Sequence, residues 1–185
     1  QGITLQTLDA TIGKNYWSGA LHLSGVYDWK TRQCRGAIIH TFNPNALLPM
    51  LYAWNVPQAF VIEWFQFGDQ PPTGKSSFNF TIGTNWLFHL NGRAQGDNCQ
   101  YNGVTNLLMK SDVIMDFTAT NAWLVLSPLL AVREEGTVQG STRLDFMQET
   151  IGFNGLSTAD PQAVAKMLAT FIENIVSQFR FEGPT

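Results

Sequence analysis

Tyr16-Trp17-Ser18-Gly19-Ala20-Leu21-His22-Leu23-Ser24-Gly25-Val26-Tyr27-Asp28-Trp29 sets the pattern of this chain. A short polar segment, Lys30 to Gln33, follows, and then Cys34-Arg35-Gly36-Ala37-Ile38-Ile39-His40-Thr41-Phe42-Asn43. Trp17, Leu21, Leu23 and Tyr27 hold one phase of a two-residue period, broken only by Gly19 and Gly25. Ser18, Ala20, His22 and Ser24 fill the other phase. Alternate side chains of an extended chain point to opposite faces, so this is a half-buried strand. Gly36 to Phe42 reads as a second strand, and the four residues between fit a turn.

Working outward, Ile3 to Ile12 alternates loosely and reads as a strand able to pair with another chain. Gly13-Lys14-Asn15 breaks it. Pro44 ends the second strand of the hairpin, because proline cannot donate to a central ladder. Ala46 to Asn55 has a helical face in Leu47, Leu48, Met50, Leu51 and Trp54, interrupted by Pro49. Ala59 to Phe67 reads as a strand covered on both sides, and Gly68 to Gly74 as a loop. Ser77 to Ile82 alternates through Phe78, Phe80 and Ile82. Gly83-Thr84-Asn85 turns, and Trp86 to Leu90 resumes an apolar run. Asn91 to Gly103, rich in Gly, Asn and Gln, is expected to be a long exposed loop. Val104 to Thr118, Ala122 to Val132 with a bulge at Pro128, and Ser141 to Phe153 complete the strands.

From Asp160-Pro161 the period changes. Val164, Met167, Leu168, Phe171, Ile172, Ile175, Val176 and Phe179 recur at steps of three and four, the apolar stripe of a helix. Asp160 is the N-cap and Pro161 the first helical residue. The β-branched residues in that stripe make a poor isolated helix, so burial must drive it. It docks on this chain's own sheet or on a neighbour. Short strands with turn signals about every ten residues fit a two-sheet antiparallel sandwich, of which the jelly roll is one form. The expected organisation is a β-sandwich over residues 1–158 and a helix with tail over 159–185.

In a chain of 185 residues, folding buries roughly 70% of the unfolded surface, so no disulfide or metal staple is needed. Two cysteines, Cys34 and Cys99, make no framework, and a reducing, intracellular origin is the simpler reading. Charged residues are 14% of the chain, with 13 Phe and 6 Trp, against about 25% charge in an ordinary soluble domain. Either the exterior is covered by neighbours, or a large core is wrapped in Ser, Thr, Asn and Gln. The net charge of −3 and the scattered cations supply no arm for phosphate contacts. Gln1 to Asn15 is too polar for a signal segment, and no run approaches the ~20 apolar residues of a membrane span.

Catalytic chemistry finds little support. His22 and His40 lie on neighbouring strands, but a metal site needs a further ligand, and Glu63 is the only charged residue in the strand expected next. Glu63 and Asp145 are conceivable as a carboxylate pair. No nucleophile elbow or phosphate loop is present. Asn79-Phe80-Thr81 is a glycosylation sequon inside an expected strand. No catalytic, cofactor-binding or metal residue is assigned, and no cofactor is expected.

Trp17-Ser18-Gly19-Ala20-Leu21, leading into strand, turn and strand, resembles the Trp-x-Gly-hydrophobic entry to a jelly-roll strand in picorna-like capsid proteins. Asn121-Ala122-Trp123-Leu124 and Thr142-Arg143-Leu144-Asp145-Phe146 resemble closing strands of the same domains. Gln1-Gly2 is similar to the Gln/Gly junctions at which such viruses cut their polyproteins. Within this order the chain is most similar to the plant secovirids, in particular the small single-domain coat proteins of cheraviruses. The resemblance implies an all-β antiparallel jelly-roll β-sandwich, here with an added C-terminal amphipathic α-helix. It also implies a structural, non-enzymatic role in the icosahedral shell of a non-enveloped positive-strand RNA virus. The implied partners are the other capsid proteins of the same virus, with the encapsidated RNA contacted only indirectly and no membrane involved. The protein would reside in the virion, assembled in the host cytoplasm. A carbohydrate-binding β-sandwich using exposed aromatics is the alternative.

Overall fold

The computed structural model describes residues 2–12, 19–53, 60–68, 70–83, 86–148 and 150–168. Trp17, Ser18, Trp54, the stripe residues from Phe171 to Phe179, the whole of the expected break at 13–15 and part of that at 83–85 lie outside them. Among the described residues ten strands form, in chain order: β1 (Gly2–Ile12), β2 (Gly19–Asp28), β3 (Gln33–His40), β4 (Phe65–Phe67), β5 (Thr73–Thr81), β6 (Leu87–Tyr101), β7 (Val104–Thr118), β8 (Ala122–Arg133), β9 (Gly136–Asp145) and β10 (Thr150–Ser157). The described residues also hold the short helices α1 (Leu48–Ala53) and α2 (Phe60–Glu63), between β3 and β4, and α3 (Pro161–Leu168), after β10. A 3-10 turn, Pro44–Leu47, leads into α1 and starts at Asn43, whose side chain accepts from the Asn45 amide.

An antiparallel all-β chain followed by a C-terminal helix is therefore what forms. The jelly-roll order is not seen among the described residues. Jelly rolls set strands distant in sequence side by side. Here the hydrogen-bonded order is β1-β2-β3-β5-β6-β7-β8-β9-β10, with β4 continuing the line of β5 along the far half of β6. Short connections account for this meander except between β3 and β5, where residues 41–72 intervene, since a strand that reverses within a few residues pairs with the one it has just left. The tightest is Asn102-Gly103, with φ of 50° and 74°, which joins β6 directly to β7. Two successive residues of positive φ make the turn whose twist suits a hairpin.

Three local expectations are corrected. Asn91 to Gly103 is not a loop; most of it is the second half of the long strand β6, paired with β7 on both sides of Asn98, whose φ is 48°. Of the expected strand Ala59 to Phe67, the described residues from Phe60 onward form α2 followed by β4, because a short apolar run fits either structure. Ser141 to Phe153 divides at a turn, where Asp145 Oδ1 accepts from the amides of Met147 and Gln148, both at 3.1 Å. The bulge at Pro128 is present, as a register shift between Leu126 and Leu129.

The most deeply buried cluster lies where α3 crosses one end of the sheet. Val104, Ala131, Val138, Ala159 and Met167 form it, with Met109, Phe153 and Val164 packed around them. Asp160 caps α3 as expected: its Oδ1 accepts from Gln162 N at 3.1 Å and its carbonyl from Val164 N at 3.1 Å. At the other end, Asn102 Nδ2 donates to the Lys166 carbonyl at 2.7 Å, tying the helix to the β6–β7 turn. The described part of the helix thus docks on its own sheet.

Candidate assembly surface

The strand registers sort the side chains onto two faces of different chemistry. One row of directly opposed residues runs Asp9, His22, Ile39, Lys75, Arg93 and Asp112 across six strands. A second runs Arg35, Asn79, His89, Asp116, Trp123 and Asp145 from β3 to β9. Lys110 and Arg143 share this face by the same registers. Several of its ions are paired within the face. Arg93 Nε donates to Asp112 Oδ1 at 2.7 Å and holds that carboxyl below the usual carboxylate range. Asp9 binds the His22 ring, His89 lies 3.9 Å from Asp116, and the Arg143 guanidinium sits 4.8 Å over the Trp123 ring.

The opposite face carries Leu21, Leu23, Ile38, Phe78, Phe80, Phe88, Leu90, Met115, Phe117, Leu124 and Leu144. Among the described strand residues its one ion is Arg133, the last residue of β8, which turns back onto Glu135 and the Thr105 carbonyl. A ladder of phenylalanines crosses it: Phe80 to Phe88 at 6.4 Å, Phe88 to Phe117 at 6.2 Å, and Phe117 to Phe146 at 5.9 Å between ring centres. Small Ala122 on β8 leaves room for the last step. Each such pair adds about 0.5–1.5 kcal/mol beyond its buried area. Yet α3 covers only the β7–β10 end. Phe78, Phe80, Phe88 and Leu90 stay half-buried, and on β1 Ile3 is 56%, Leu5 39% and Leu8 46% exposed. The turn tips at one end of the strands add Trp29, Ile82, Trp86 and Met147, all exposed.

His40 is the histidine on the apolar face. Its ring lies over Gly74 and 5.2 Å from Phe42, and its Nδ1 has no partner among the described residues. Burial pushes its pKa below the ordinary histidine value. The unfolded chain, with a pKa near ~6.5, takes up the proton first. Stability is therefore held above that pH and falls as the pH drops through it toward the folded value. Melting temperatures at pH 8 and pH 5 should differ more for the native chain than for His40→Phe.

The sequence-level candidates for chemistry do not converge. His22 opposes Ile39 and His40 opposes Leu21, so the two rings lie on opposite faces. Glu63 accepts the Tyr52 hydroxyl, and Asp145 caps its turn. Among the described residues no three His, Cys, Asp or Glu side chains gather closely enough to hold a metal ion. Burial pushes the Cys99 thiol up to about 11, which suppresses the reactive thiolate. A groove of about 780 Å³ on the charged face is lined by Arg93, Lys110, Asp112, Gln139 and Leu156, with Arg93 already committed to Asp112. Exposed Trp29 stands edge-on to Tyr27, at 4.7 Å and 86°, rather than lying flat beside another ring. No described helix is long and apolar enough to cross a membrane. Comparison with family models, curated proteins and solved structures finds no match for this chain.

Proposed function

We propose that this chain is a structural subunit of a protein shell, the icosahedral coat of a non-enveloped positive-strand RNA virus. The separation of charge across the sheet carries the reading. Charged strand residues gather on one face, while the other is aromatic and aliphatic and, among the described residues, only partly covered from within. A surface of that kind lowers its free energy by being covered, at about 25 cal/mol per Å² of apolar area. The apolar face, the outer strand β1 and the exposed turn tips supply wall-to-wall contacts with copies or sister subunits. Cations and carboxylates alternate on the charged face instead of forming a basic stripe. RNA would be enclosed more than gripped. The role is mechanical, with no reaction to catalyse.

Sedimentation velocity of the full chain at micromolar concentration tests this, with electron microscopy of the heavy fractions. Association beyond the monomer is expected. A well-behaved monomer under those conditions would falsify the reading.

A further inference from the structure

We propose that β1 pairs antiparallel with β1 of a second copy, residue i opposite residue 13 − i, joining two sheets edge to edge. This deepens the shell reading by naming one of its contacts.

Among the described residues β1 pairs on one side only, with β2, and its residues 2–9 are all exposed. Outer strands usually carry a lysine, a proline or an inward charge that discourages pairing. Gly2–Ile12 has no lysine, arginine or proline, and its one charge, Asp9, is engaged by His22.

The strand is irregular in a way that suits a copy of itself. Leu5 opposes Gly25 and Leu8 opposes Leu23, so Gln6 and Thr7 together face the single residue Ser24. That bulge flips the alternation, placing Ile3, Leu5 and Leu8 on the apolar face and Thr4 and Asp9 on the charged face. An ordinary regular strand laid along this edge would match one half of β1 and be out of phase with the other. A second β1 flips phase at the same point. With the two-fold axis between Gln6 and Thr7, Leu5 meets Leu8 of the second copy on the apolar side, and Thr4 meets Asp9 on the charged side. The two Asp9 residues then sit five residues apart along the strands, about 17 Å at the usual rise. That is roughly twice the screening length at physiological salt. A two-fold axis normal to the sheet keeps both apolar faces on the same side, so pairing widens the surface that the shell reading needs.

The test uses disulfide trapping in the full chain with Cys34→Ser, which leaves only buried Cys99. Leu5→Cys and Leu8→Cys chains are mixed and oxidised. An interchain disulfide is expected in the mixture and not in either variant alone. Ile3→Cys mixed with Leu8→Cys, two residues out of register, should stay uncross-linked. Leu5→Lys with Leu8→Lys, at exposed positions and checked for folding by circular dichroism, should lose the dimer in sedimentation. Equal trapping in the 3/8 and 5/8 mixtures, or none in either, overturns the pairing. Particles without the 5/8 disulfide sink this contact and leave the shell standing. A trapped dimer that never proceeds to larger assemblies supports the contact and counts against the shell.

Discussion

Leu124→Asp is expected to abolish the cooperative thermal melt, while Val125→Asp, one residue on, leaves it nearly intact. Leu124 is 7% exposed and opposes Met115 on β7 and Leu144, 8% exposed, on β9. Losing its burial costs about 2 kcal/mol. Setting an unpaired carboxylate there adds several kcal/mol, since no cation faces it. The sum, roughly 5 kcal/mol or more, matches the whole stability of a marginal domain. Val125 points to the other face and opposes Arg143. A carboxylate there gains a cross-strand partner worth up to about 1 kcal/mol, which offsets the lost valine contacts. Far-UV circular dichroism through a urea or thermal titration reads both variants. Equal losses would mean that the two faces are not chemically distinct, and the surface argument would go with them.

Gly140→Val should cost about 3 kcal/mol, at the upper end for an overpacked site. Gly140 opposes Gly155, and a Cβ at Gly140 would stand 2.2 Å from the Asn154 carbonyl oxygen and 2.6 Å from Gly155 Cα. Both obstacles are backbone, so β9 and β10 must separate for the side chain to fit. Hydrogen exchange should show the β10 amides losing protection before those of β7 and β8. Gly152→Val, on the partner strand β10, is the control. Its Cβ would meet only the Arg143 carbonyl oxygen, at 4.0 Å. There the gain in strand preference and the stiffer unfolded chain should make the change neutral or favourable by about 0.5 kcal/mol. If β10 keeps its protection in Gly140→Val, the close approach of β9 and β10 is wrong.

Much of the local structure was legible because strand and helix periods are written in adjacent residues. The alternation at Leu21 and Leu23, at Phe78 and Phe80, and at Met115 and Phe117 marked strands that formed. Asp160-Pro161 marked the start of α3. The misses have physical causes. Asn91 to Gly103 looked like a loop because its side chains are small or polar. Gly92 and Gly96 face the apolar side, against Ser76 and Phe67, so a strand survives without alternating hydrophobics. Asn102-Gly103 is the signal that marks its end, a two-residue hairpin turn in plain sequence. His22 and His40 were placed together by adjacency of strands. Their register puts an odd offset between them and hence opposite faces.

By itself the sequence determined that this chain extends into many strands, ends its sheet at a capped helix, and carries little charge for its size. Tertiary structure alone decided that the strands lie in chain order rather than crossing, and that the charges gather on one face. The reason is that periodicity is local, whereas pairing is not. Backbone hydrogen bonds between strands are much the same for any side chains, so partner and register are settled by turn length and by what two distant segments bury together.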